Sequence, residues 1–487
     1  MRNRREFLKL SAVAISALAM PRSLFADTSS FSDYKALVVI HNAGGNDGFN
    51  MFIPSGDDPL TGYANYAKAR DGICVKNQVL SLPVNNDKLA LTTGNPYDVS
   101  NNLSQSYLKG FYKHAGMDLA TNALMPELAH LVNKGKVAIV TNVGNLIEPA
   151  TKEEFKAKTK DLPPFLFAHN HQTKLAMNGE ASLLDYSGWA GRIADNWIGI
   201  NGGDIYGMNI NVGRSTHLFY GDKTKGLTIK SGGPTSYKRL KREIYDELLQ
   251  NQESDKFKKL YQELQKHSFD MQDTIVDDWK NNAPTFSSKN AYGGELFSKP
   301  SHSELKESKP TLTDTSILKQ LKAVAKLAYI GKKRGLKRQI FFISDGGYDT
   351  HNNQSVQHAR KLRGLSLGIG DFTKALEEMG MENEVTTFNI SEFGRSLGSN
   401  GDGTDHAWGS NLFVVGGAVN GGLYGKLPDL TLGGKDDIVK KGRLIPTTSM
   451  SQYYGTIVKW FGADEAMIQK IVPELKNFTT QDLGFMG

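Results

Sequence analysis

Short apolar runs that stop abruptly at loops of glycine, carboxylate and histidine restrict the fold of this chain more than any other feature. Lys35-Ala-Leu-Val-Val-Ile-His41 runs into Asn42-Ala-Gly-Gly-Asn-Asp-Gly48, and Gln339-Ile-Phe-Phe-Ile-Ser344 into Asp345-Gly-Gly-Tyr-Asp-Thr-His351. Glu384-Val-Thr-Thr-Phe-Asn-Ile390 ends at Ser391-Glu-Phe-Gly-Arg395. Val137–Thr141 and Leu412–Val415 are two further runs of the same kind. Continuous rather than alternating hydrophobicity marks strands buried on both faces, as in parallel sheets. Between the runs lie amphipathic patterns at about 126–134, 316–333, 356–379 and 449–461, each long enough for a helix. Strands alternating with helices predict an α/β core with a largely parallel sheet. Residues 237–280 differ, being charge-rich with apolar residues at helical spacing. Within 236–310 we expect a helical insertion, either a cap over the site or an exposed helical pair.

The N-terminus reads as an export signal. Asn3-Arg-Arg-Glu-Phe-Leu-Lys9 is charged, Leu10–Met20 is apolar, and Pro21–Ala26 breaks the helix. Eleven apolar residues are too few for a membrane span and suit a signal core. The paired arginines followed by Phe-Leu-Lys resemble the twin-arginine signal, read by a receptor. The twin-arginine translocase is thus an expected partner, 1–26 a signal peptide, 27–487 the exported domain, and the periplasm or exterior the location. An uncleaved anchor is the alternative. This segment carries Arg2, Arg4, Arg5, Lys9 and Arg22 against Glu6, so the formal +7 of the 487-residue chain falls to about +3 without it. No basic patch with interleaved aromatics remains, which argues against nucleic acid as a partner. Beyond the signal no run is long enough for a stable membrane span. The single cysteine, Cys74, excludes an internal disulfide or a thiolate cluster and has no neighbouring histidine or basic cluster in sequence.

Ligands in an α/β sheet bind beyond the carboxyl ends of its strands. Three loops there carry candidates: Asp47 after the first run, Asp349 and His351 after the third, and Glu392 and Arg395 after the fourth, continuing to Asp405 and His406. A fourth loop, Pro163–Gln172, adds His169 and His171. Carboxylates and imidazoles together suit a divalent cation of the zinc, manganese or iron type. Each loop has a plainer reading: Asp47 as a turn former, an Asp-His pair such as Asp349 and His351 as a turn carboxylate beside a structural histidine, Glu392 and Arg395 as a mutual ion pair, and His169 and His171 as surface groups.

Taken in order, Val38–Asn50, Gly346-Gly-Tyr-Asp-Thr-His351, Ser391–Arg395, Thr404-Asp-His-Ala-Trp-Gly409, Gly416–Gly422 and Gly442–Thr448 resemble the exported domain-of-unknown-function family 1501. That family is placed in the alkaline phosphatase and sulfatase-like superfamily. The resemblance implies a three-layer α/β/α sandwich around a mostly parallel sheet and one or two divalent metals (Zn, Mn or Ca) held by Asp and His. It implies Asp47, Asp405 and His406 as one ligand set and Asp349 with His351 as the other. His169 is then a completing ligand, with Glu392 and Arg395 lining the site. Where relatives carry Ser-His, this chain has Ala168-His169, with Thr173 nearby and no hydroxyl at the nucleophile position. The expectation is therefore an exported hydrolase of a small anionic phosphate or sulfate ester that uses a metal-activated water. The alternative is a catalytically idle binding or assembly protein that keeps the fold.

Overall fold

The computed structural model describes residues 31–82, 103–182, 185–235, 243–244, 246–247, 256–291, 293–298 and 316–487. The expected export signal and part of the expected insertion lie outside them. The strands are β1 (Lys35–Ala43), β2 (Phe52–Pro54), β3 (Phe111–Tyr112), β4 (Leu119–Asn122), β5 (Val137–Gly144), β6 (Asn209–Val212) and β7 (Leu227–Ile229). They continue as β8 (Arg338–Gly346), β9 (Val385–Ile390), β10 (Arg395–Ser399), β11 (Thr404–His406), β12 (Ser410–Val415), β13 (Gly422–Tyr424) and β14 (Thr448–Ser449). The central sheet has the order β13-β5-β12-β9-β1-β8-β6-β7, with β14 pairing beside β5.

Side-chain alternation along the apolar runs divides them between two cores. On β1, Ala36, Val38 and Ile40 join one hydrophobic cluster, while Leu37 and Val39 join another. Phe341 and Ile343 against Ile340 and Phe342 repeat the division on β8. The first cluster is closed by helices Pro126–Asn133, Ser316–Lys333 and Gln354–Glu378, the second by Trp189–Asn196, Met450–Phe461 and Glu465–Ile471. A sheet apolar on both faces needs a helical layer on each, which makes a three-layer α/β/α arrangement. Ser449 starts the helix Met450–Phe461 with a capping box completed by Gln452. Arg363 and Glu127 form a buried bidentate pair at 2.7 Å that ties helix Gln354–Glu378 to Pro126–Asn133.

β1 pairs in parallel with β8 and β9, whereas β12 runs antiparallel to both β9 and β5. Between Ile390 and Ser410 lies only the β10–β11 hairpin and its flanking turns, with no crossover helix. Without a crossover the chain cannot return to the opposite edge, so the next strand must run back. This reversal puts the start of β12 on the same edge as the carboxyl ends of β1, β8 and β9, and holds both flanks of the hairpin there. Beneath these loops a smaller core of Phe49, Ile53, Tyr66, Leu397, Leu430 and Leu444 supports them.

The described helix of the expected insertion, Lys256–Asn281, packs elsewhere. Its Asp278 pairs with Arg334 at 2.9 Å, Trp279 lies under the Lys326 ammonium, and Ile275 joins Ile229 in the first core. Those contacts place it on the β6–β7 side of the sheet.

Candidate functional site

Four loops meet at the carboxyl ends of β1, β8 and β9. The structure brings His169, Asp349, His351 and His406 together. One ligand atom each from His169, Asp349 and His406 falls within 4.8 Å of the others. His351 Nε2 lies 2.9 Å from His406 Nε2 and 3.2 Å from Asp349 Oδ1. The two ligand sets implied by resemblance thus merge into one cluster around Asp349, and Asp47 is outside it.

The rings are oriented from behind. His169 Nδ1 sits 2.8 Å from Glu392 Oε1, and His406 Nδ1 sits 2.9 Å from the Phe167 carbonyl oxygen. Both partners only accept, so each Nδ1 donates its proton and, in the neutral ring, each Nε2 holds a lone pair. His351 repeats the pattern, its Nδ1 3.5 Å from Asp405 Oδ1. The buried His169 Nε2 has no hydrogen-bond partner among the described residues, and Asp349 Oδ2 is 3.5 Å away. Lone pairs converging on a carboxylate repel it unless a positive charge lies between them.

Local structure explains how each ligand arrives. His169 opens the helix His169–Asn178, whose N-cap is Ala168, while Phe165 and Phe167 adopt left-handed φ of 52° and 70° in the preceding loop. His171 instead stacks on Phe165, with centroids 4.1 Å apart. Asp349 and His351 follow β8, and Asp405 and His406 end the β10–β11 hairpin. Gly394 permits that hairpin: a Cβ there would lie 2.0 Å from the Gly409 carbonyl oxygen.

Glu392 and Arg395 do not pair with each other. Glu392 is buried and accepts from His169, His41 and the Gly44 N–H. Burial pushes its carboxyl up, but the bonds from His169 and His41 outweigh that and hold it well below the usual range. Arg395 is also buried, donating to the carbonyls of Gly45, Thr404 and Tyr348 and to the Asp349 carboxylate. It ties three loops to one ligand. Burial raises the Asp349 carboxyl, yet Arg395, His406 and His169 together keep it below its ordinary value. The Glu392 hydrogen bond raises His169, against desolvation, whereas burial lowers His406.

Asp47 caps the short helix Gly48–Met51 and is completely enclosed. Arg70 grips it through both oxygens, at 2.8 and 2.6 Å, and Gln354 Nε2 donates to it at 2.5 Å. Gln354 Oε1 accepts in turn from Thr350 and Thr404, the neighbours of His351 and Asp405. Asp47 therefore braces the ligand loops through Gln354 instead of facing the cluster. Cys74 is half-buried beside the Tyr63 hydroxyl, and burial pushes its thiol up.

Several participants were missed in sequence. His41 had a signal, as the polar end of an otherwise apolar strand. Arg443 lay inside a noted motif: its Nε donates to the His406 carbonyl at 2.8 Å, and its guanidinium lies 4.5 Å from the Phe167 ring. Arg70 and Gln354 had none, because only tertiary packing carries them to Asp47.

Comparison with curated proteins finds no match. A family model described as "Protein of unknown function (DUF1501)" matches residues 34–451, which span β1 to β14, and the chain belongs to that family.

Proposed function

We propose that this protein is an exported, metal-dependent hydrolase of phosphate or sulfate esters, with the alkaline phosphatase and sulfatase-like form of the α/β/α sandwich. The observation that carries the reading is the ring orientation: three imidazoles turn Nε2 toward Asp349 while their Nδ1 atoms face Glu392, the Phe167 carbonyl and Asp405. Metal-ligating histidines are held from behind in this way. His169, Asp349, His351 and His406 would hold one divalent cation, and the unpartnered His169 Nε2 fits that role. When bound, such a cation would stabilise developing negative charge and lower the pKa of a water molecule. The protein's own groups do the rest: Glu392, Asp405 and the Phe167 carbonyl fix the rings, Arg395 fixes Asp349, and Phe393 packs against His169 and His406, with centroids 4.8 and 4.6 Å apart.

Metal content of the purified mature protein, read by mass spectrometry, tests this. After loading with Zn, Mn or Ca we expect about one ion per chain in the wild type and under one-tenth of that in Asp349→Asn. Turnover of aryl phosphate and aryl sulfate should follow the bound metal. Absence of any bound ion after loading would sink the reading.

A second reading, an idle binding protein that keeps the site, is favoured by one observation. Ala168, at the helix N-cap beside the cluster, offers no hydroxyl nucleophile. Bound metal without turnover of either ester would support it.

A further inference from the structure

A cleft of about 450 Å³ opens beside the cluster and shares Asp405 with it. Exposed Lys68, Lys440 and Lys441 line it, along with Asp71 and the backbone of Gly401. Asp405 turns its Oδ1 toward His351 Nδ1 and the Asn400 amide, so its charge is directed partly at the cluster. Lysines outnumber carboxylates in the lining.

The basic wall is built, not loose. Lys440 and Lys441 belong to the segment Lys440-Lys-Gly-Arg443, which leads from the cleft to the cluster, where Arg443 holds the His406 carbonyl. Fully buried Asp437 fixes this segment by accepting four backbone N–H groups, those of Gly433, Val439, Gly442 and Arg443, at 2.8–3.1 Å. β10 pins the other side, with the Leu397 and Gly398 N–H groups donating to the Gly442 and Lys441 carbonyls. Gly442, at φ 79°, is pressed so close to Leu397 that a Cβ would lie 2.5 Å from the Leu397 Cβ. The backbone that carries Lys440 and Lys441 along the cleft is held in place, so an anion binding there has to order only the lysine side chains.

We propose that this cleft binds a second anionic group of the substrate, so that the ligand class is a small oligoanionic ester on a polar scaffold, with one phosphate or sulfate at the cluster and another among Lys68, Lys440 and Lys441. The inference rests on reading the Asp349 cluster as the ester-binding centre. Three lysines against two carboxylates favour an anion in the cleft, and the segment joins the two places directly.

Isothermal titration with two probes, inositol hexakisphosphate and sucrose octasulfate, tests the cleft and separates phosphate from sulfate as the anion. At least one should bind the mature protein, more weakly as salt rises. Lys68→Gln/Lys440→Gln/Lys441→Gln should weaken that binding about tenfold or more with an unchanged melting temperature. Lys332→Gln/Lys333→Gln/Lys337→Gln, near the opposite edge at the start of β8, should leave it within about twofold. In metal-free protein the part of the binding that depends on these lysines should persist, so a failed metal site and a failed cleft give different results. Absence of binding by either probe, an unaffected cleft variant, or an equal loss in the opposite-edge variant would overturn the proposal.

Discussion

Replacing Arg70 with methionine isolates the role of Asp47. In the native protein neither side chain of this pair is exposed to solvent. Removing the guanidinium deletes two charge-assisted bonds, at 2.8 and 2.6 Å, and leaves Asp47 with the Gln354 amide and the Asn50 N–H. At roughly 1.5–3 kcal/mol each, two such bonds suggest a loss of about 3–6 kcal/mol. Stranding one partner of a buried pair costs about 3–5 kcal/mol, in the same range. Asp47→Asn/Arg70→Met leaves no charge behind, so the double variant should recover about 2 kcal/mol or more relative to the sum of the single losses. Urea unfolding of metal-free protein, followed by the fluorescence of its five tryptophans, gives these differences. Metal content of the folded variants gives an independent reading, and both single variants should bind about one ion per chain. A loss below about 1 kcal/mol in Arg70→Met would refute the reasoning. So would an Asp47→Asn variant that keeps its stability but no longer binds metal, since Asp47 would then be a ligand and not a brace.

Three further outcomes follow from other parts of the structure. Glu392→Gln weakens the hold on His169 and His41, and should lower metal affinity about 10–100-fold in competition with a chromophoric chelator; unchanged affinity would contradict the role given to Glu392. Asp371, buried and bonded to the Phe297 N–H, has its carboxyl pushed up from 3.8 to about 7, chiefly by burial. The folded state therefore binds its proton more tightly than the unfolded state, and this stabilisation is complete below about pH 4 and lost as pH rises through 7. Asp371→Asn should accordingly gain about 2–4 kcal/mol over wild type at pH 8 relative to their difference at pH 4, and a pH-independent difference in urea unfolding would be inconsistent with that. Gly394→Ala forces a Cβ against the Gly409 carbonyl, where only backbone can yield. It should cost about 1–3 kcal/mol or more, and a thermal transition matching wild type would show that the β10–β11 hairpin can shift at no cost.

Much of the architecture was legible because burial on both faces imposes it. A run such as Leu37-Val-Val-Ile40 has no polar face to offer water, so it becomes a central strand with a core on each side. Helices 316–333 and 449–461 were read within a residue or so, since their apolar stripes and the Ser449 cap are local signals. The reversed direction of β12 was less visible, although the lack of any helical pattern between 390 and 410 implied it. Asp349 and His351 could be named in sequence because they sit in a short glycine-bearing loop directly after an apolar run, and His406 because it lies in a glycine-bounded Asp-His pair just before one.

The sequence by itself thus determined the α/β class, the long central strands and most of the side chains able to do chemistry. Tertiary structure decided which of those side chains meet. Asp47 and Asp349 look alike as acidic residues in glycine-rich loops, yet Arg70 and Gln354 enclose one while three histidines surround the other. Arg70 is twenty-three residues from Asp47, Gln354 about three hundred, and no local periodicity records either pairing. The physical reason is range: periodicity and capping act over a few residues, whereas the environment of a charge is set by whatever the finished fold packs against it.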